Sequence, residues 1–145
     1  ANQALCTLAR ELPNLTLVGY WWHNFFPTVI RQVMAERLDM LPLNRQIGFF
    51  SDAYCVDWTY AKAALVRKQL APVLAERVAQ GQYSFDDALE VARTILYETG
   101  RQSLGMEPTQ RAPRGAQRWL RNLCALRALA VNSLIVRCVR LRMGD

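Results

Sequence analysis

Residues Gln46–Trp58 read Q-I-G-F-F-S-D-A-Y-C-V-D-W. Ile47, Phe49 and Phe50 carry the β-branched and aromatic bias of a short buried strand, and apolar residues on both of its faces suit a parallel sheet covered by helices. Asp52 then stands at the carboxyl end of that strand. In barrels and open α/β sheets the chemistry gathers there, because the loops vary while the core below stays packed. The competing reading makes Asp52 the cap of a turn or of the helix that follows.

Outward from this stretch, helices and strands alternate. Leu5, Leu8, Ala9 and Leu12 have helical spacing, which predicts an amphipathic helix over residues 3–12 stopped by Pro13. Leu15–Tyr20 is a second strand, followed by the aromatic run Trp21-Trp22-His23-Asn24-Phe25-Phe26. Pro27 suits the first turn of a helix whose apolar stripe is Val29, Ile30, Val33, Met34, Leu38 and Leu41, ending at Pro42. After Trp58 another helix runs through Ala61, Ala64, Leu65 and Leu70. Pro72 should kink or restart it, and Gly81 should cap it. Ser84-Phe-Asp-Asp87 resembles a capping box, opening a helix with Phe85, Ala88, Leu89, Ala92, Ile95 and Leu96 inward; Gly100–Gly105 is its frayed end. Asp57 is expected as a helix N-cap, and Asp86 with Asp87 complements a helix dipole.

Helix, strand, helix, strand, helix is the order of consecutive βα units in a parallel sheet. Two strands alone leave backbone edges unpaired and an apolar face uncovered, so further strands are expected from chain beyond this sequence. The start at Ala1, within a helical pattern, agrees with a fragment.

The 145 residues, 52% hydrophobic, suffice for one packed domain. The net charge of +6 is segregated: residues 1–110 hold 10 Lys+Arg against 11 Asp+Glu, whereas residues 111–145 hold 8 Arg against one Asp. The basicity therefore belongs to the tail, and a nucleic-acid or membrane reading is unsupported for residues 1–110. Four cysteines, Cys6, Cys55, Cys124 and Cys138, lack the spacing of a zinc framework and suit a reducing, cytoplasmic setting. No segment reaches the ~18 continuous apolar residues of a membrane span. The division expected is residues 1–105 as part of one α/β domain, 106–115 as linker, and 116–145 as an Arg-rich tail, helical or disordered. In that tail Trp119, Leu123, Leu126 and Ala130 could form a helical stripe suited to an acidic partner or a membrane surface. A translated non-native sequence would have the same composition.

Two short patterns carry a family resemblance. Residues 14–105 resemble the C-terminal end of uronate (glucuronate) isomerase, a metal-dependent (β/α)8 barrel of the amidohydrolase superfamily. The family's W-W-F-N-D stretch after its seventh strand stands here as Trp21-Trp22-His23-Asn24-Phe25. Its G-M-L-T-D-S-R stretch at the end of the eighth stands as Gly48-Phe49-Phe50-Ser51-Asp52-Ala53-Tyr54. The distance between the two patterns equals the family's, and Arg45 falls on a family arginine just before the eighth strand. Tyr97-Glu98 and Leu104-Gly105 follow the closing pattern more loosely.

The resemblance implies an α/β fold made of the last two βα units of the barrel, predominantly helical. It implies aldose–ketose isomerisation of a hexuronate, with a divalent metal such as zinc in the complete barrel. Asp52 matches the acidic residue that approaches the metal and handles the proton. Trp21, Trp22, Asn24 and Tyr54 fall on the substrate side. Tyr54 replaces the family arginine, removing a bidentate carboxylate partner. His23 replaces Phe, and Phe25 replaces the acidic residue of the tryptophan pattern. The metal-binding histidines belong to earlier strands, so the partner implied is the missing barrel half or another subunit, and this chain alone is expected to be inactive and metal-free. The alternative is a non-catalytic helical protein whose basic tail binds an acidic partner or membrane surface.

Overall fold

Prolines set the first boundaries in the computed structural model, which describes residues 1–20 and 26–106. Helix α1 spans Asn2–Glu11, and Leu12 is already extended at φ −97°, ψ 109°. Helix α2 spans Pro27–Met40, with Leu41 extended at φ −122°, ψ 140°. Both extended residues precede a proline, whose ring excludes the helical conformation from its predecessor. Pro27 itself sits at the start of α2, where a missing N–H is harmless.

Strand β1, Leu17–Val18, pairs in parallel with β2, Gln46–Ile47. Leu17 lies opposite Gln46 and Val18 opposite Ile47. The parallel pairing agrees with the order read from the sequence, while the strands are shorter than the expected 15–20 and 47–50. Two glycines explain where the ladder stops. Gly19 still donates to the Ile47 carbonyl at 2.7 Å but turns to φ +55°. Gly48 donates at 2.6 Å to the carbonyl of Ile95 on a helix instead of to a strand.

Helix α3, Val56–Ala79, is one 24-residue helix that runs through Pro72. The expected restart is thus absent: one lost backbone bond is outweighed by the burial of Val66, Leu70, Ala71, Val73 and Leu74 on the same helix. Cys55, not Asp57, is the N-cap residue, and Asp57 lies in the first turn, where its charge still suits the positive helix end. At the other end Gly81 has φ +73°. Its N–H reaches the Val78 carbonyl at 3.1 Å and that of Gln82 reaches Arg77 at 2.9 Å, the two bonds of a Schellman cap.

Helix α4, Phe85–Arg93, opens with the expected capping box: Ser84 accepts from the Asp87 N–H, and Asp87 accepts from the Ser84 N–H. Ser84→Ala should lower stability by about 1 kcal/mol in a denaturant titration. Hydrogen bonds from the Ser84 hydroxyl and backbone hold the Asp87 carboxyl below its ordinary value. Because the folded value is depressed, this contribution is present above the unfolded aspartate range and is lost as pH falls through the folded value. A π-helical turn, Thr94–Glu98, follows, and in place of the expected frayed end over Gly100–Gly105 the chain forms α5, Thr99–Ser103. In that turn the Thr99 N–H bonds to Thr94, leaving the Ile95 carbonyl for Gly48.

The core lies between α2, α3 and α4, with Ile30, Met34, Leu70, Leu74, Ala92 and Ile95 inside and Tyr20 closing its strand side. Val91 joins this core, a position the sequence pattern missed. A smaller cluster of Cys6, Ala9, Leu17 and Leu41 seats α1 on the sheet. The leucine stripe of α1 is the other way round from expectation: Leu5, Leu8 and Leu12 are 45%, 51% and 47% exposed. Gln46, fully buried, donates to the carbonyls of Arg37 and Leu41 at 3.3 and 3.4 Å, satisfying the end of α2. Among the described residues no helix is long and apolar enough to cross a membrane.

Candidate functional site

The carboxyl ends of β1 and β2 are drawn together by what Gly19 lacks. A Cβ on Gly19 would stand 2.6 Å from Phe50 Cβ and 2.9 Å from its backbone nitrogen, so only hydrogen fits. Phe50 is half exposed, and Ser51 and Asp52 follow it out of the core. Asp52 is exposed and takes φ +41°, the one non-glycine left-handed residue among those described. Aspartate tolerates that conformation better than most residues, at a cost of about 1 kcal/mol.

Lys62, on the first turns of α3, reaches back beneath this loop. Its Nζ donates to the Ser51 carbonyl at 2.7 Å and to the Asp52 carbonyl at 3.3 Å, and lies 5.5 Å from the centre of the Trp58 ring. Tyr54 meets Trp58 edge-on, with ring centres 6.1 Å apart and planes at 73°, and is 88% exposed. Asp52, Tyr54, Trp58 and Lys62 thus belong to one loop-and-helix corner at the strand ends. Trp21, Trp22 and Asn24, the other expected site residues, lie outside the described residues, as do His23 and Phe25.

Beside the corner, at the end of β1, the Arg37 guanidinium is buried. It donates to the Gly19 carbonyl at 2.5 Å and to Asn2 Oδ1 at 3.2 Å, and its carbon lies 5.0 Å from the Tyr20 ring centre. Burial pushes the Tyr20 phenol up to about 12, against the opposing pull of Arg37, so Tyr20 is neutral at physiological pH. Desolvation lowers Arg37 from its ordinary value, yet an arginine remains cationic. Arg45, the residue on the family arginine, donates to the carbonyls of Leu12 and Pro13, so it ties the end of α1 to the start of β2.

Arg37 and Lys62 are not among the site residues expected above, although the sequence carries a signal for both. Arg37 is four residues after Val33 and three after Met34, and Lys62 is four before Val66. Each is a charge in phase with a buried stripe, which demands a built-in partner. No family model matches the chain. A curated protein does. Over 112 residues the chain is 27% identical to a uronate isomerase from Phenylobacterium zucineum, covering 77% of this chain and 23% of that protein. The chain therefore spans under a quarter of the length of the relative it matches.

That likeness raises the question of a metal. Among the described residues no group of three His, Cys, Asp or Glu side chains converges. Asp52 supplies a single carboxylate, and a catalytic zinc site takes about three protein ligands. The described residues do not by themselves fit a catalytic metal.

Proposed function

We propose that this chain is the closing portion, the last two βα units, of a (β/α)8 barrel enzyme of uronate isomerase type. The observation that carries the reading is Asp52, in the loop that leaves the carboxyl end of a parallel strand, in a chain similar to a uronate isomerase. Aldose–ketose isomerisation moves a proton between adjacent carbons. The Asp52 carboxylate is the group that accepts it from one carbon and returns it to the next. Trp21 and Trp22 offer indole faces to the C–H surface of the hexuronate and N–H groups to its oxygens, with Asn24 and Tyr54 as further polar contacts. Tyr54, in place of an arginine, donates one hydrogen bond and no charge, so the sugar carboxylate must find its cation elsewhere. Any divalent cation such as zinc takes its remaining ligands from the rest of the barrel or another subunit.

The small size of the sheet supports the same reading. Among the described residues it is a parallel pair of two residues per strand, whereas natural parallel sheets are larger and covered on both faces. Val18 and Phe50, at the pair and just beyond it, remain 44% and 51% exposed.

The test is a graft in which residues 14–105 replace the matching segment of the Phenylobacterium zucineum isomerase. Turnover of glucuronate well above that of the relative lacking the segment is expected; a folded graft without turnover would overturn the reading. The 145-residue chain alone, with glucuronate and added Zn²⁺ or Mn²⁺, should show no turnover above background.

A second reading rests on the charge segregation, in which residues 111–145 carry 8 of the 18 Lys+Arg. There the chain is a non-catalytic helical protein whose basic tail meets an acidic partner or membrane surface. The linker and tail, residues 106–115 and 116–145, lie outside the described residues except for Met106. If they are an appended segment, deleting residues 111–145 should leave the helical signal and thermal transition of the remainder within a few degrees. A large loss would mean that Trp119 and Leu123 pack into the body.

A further inference from the structure

We propose that Lys62 is a positioning residue that aims the Asp52 carboxylate, an inference that rests on the reading of Asp52 as the working carboxylate. Lys62 is only 5% exposed, so its ammonium must be solvated by the protein. Part of that solvation comes from two consecutive carbonyls, those of Ser51 and Asp52, at 2.7 and 3.3 Å. The torsion that relates these two carbonyl carbons is φ of Asp52. The same torsion, offset by the fixed geometry at Cα, sets the direction of Cβ. Holding both carbonyls on one ammonium therefore holds the side-chain direction as well.

The left-handed φ of +41° carries an intrinsic cost even at an aspartate, about 1 kcal/mol, which the two hydrogen bonds offset. Without them the loop would relax toward the ordinary region near about −63°, swinging the Cα–Cβ bond by roughly 100°. Trp58 adds to the arrangement by placing its ring 5.5 Å from the same ammonium, closing one side against water. Lys62 thus links the rigid first turns of α3 to the direction of a side chain ten residues earlier.

The test uses the isotopically labelled 145-residue chain and NMR. In the unmodified protein the Lys62 ammonium protons should be protected from exchange and should correlate with the Ser51 carbonyl carbon. Lys68, exposed on the same helix, supplies the internal reference. In Lys62→Met, Asp52 should move to negative φ and its order parameter should fall from about 0.85 to below about 0.6. Lys62→Arg, which keeps the donors, should retain most of the ordered left-handed state. Asp52 remaining left-handed and ordered in a folded Lys62→Met chain would overturn the proposal. If that variant fails to fold, the unmodified protein decides: Lys62 protons exchanging as fast as those of Lys68 would overturn it. In the graft, Lys62→Met should lower kcat roughly tenfold to a hundredfold with little change in KM. A graft in which Asp52→Asn keeps its rate refutes the role of Asp52 and leaves the clamp, read by NMR, to stand or fall separately.

Discussion

Asp52→Asn in the grafted enzyme should lower kcat at least about a hundredfold while the thermal transition stays within a few degrees. The amide keeps the shape of the carboxylate and loses the base, and general-base catalysis by a positioned side chain contributes roughly 10² to 10⁴ in rate. Asp52 is exposed in the loop that follows β2 and is not among the core residues, so the substitution removes no buried packing. The effect should fall on kcat and kcat/KM alike, since the proton is held only as the reaction proceeds. Steady-state kinetics of the graft and its variant make the check. Full activity in the variant would leave Asp52 as a turn residue only.

Gly19→Ala should destabilise the chain by roughly 3 kcal/mol, the sum of about 1–2 for a left-handed alanine and about 1–3 for overpacking. The new methyl would stand 2.6 Å from Phe50 Cβ and 2.9 Å from Phe50 N, one of them backbone that cannot swing aside. Gly81→Ala is the matched control. Its φ is +73°, yet a Cβ there meets nothing within 4 Å, so only the conformational cost of about 1–2 kcal/mol applies. Urea titrations of both variants separate the two contributions. Equal losses would mean that the strand ends do not meet at Gly19.

The sequence was legible wherever a local rule acts alone. Pro13, Pro27 and Pro42 set helix ends because a ring and a missing N–H need no tertiary context. Gly81 and the Ser84–Asp87 box did the same for the end of α3 and the start of α4. Two strands with a helix between them were enough to expect the parallel pair. Reading failed where packing decides. Pro72 does not interrupt α3, because the helix is held by its buried face. Leu5, Leu8 and Leu12 face outward, because the small Cys6 and Ala9 let α1 approach β1 more closely. The ladder is short because Gly48 bonds to a helical carbonyl that only the π turn exposes, a pairing without sequence signature.

The candidate site was legible in part for the same reason. Asp52 is expected from its position in the stretch and Tyr54 from the family resemblance, whereas the ring contact of Tyr54 with Trp58 has no signal in the sequence. Lys62 is ten residues further on, and its aim at the strand-end carbonyls exists only after α3 folds back under the loop. Arg37 likewise acquires its partners, Gly19, Tyr20 and Asn2, from three separate elements.

Whether these residues close a longer barrel is decided by the DNA on the 5′ side of the Ala1 codon in the native locus. An uninterrupted reading frame is expected there, encoding earlier βα units with histidines placed to bind a metal. A start codon at or next to Ala1, with no barrel sequence upstream, would contradict it and favour the non-catalytic helical protein.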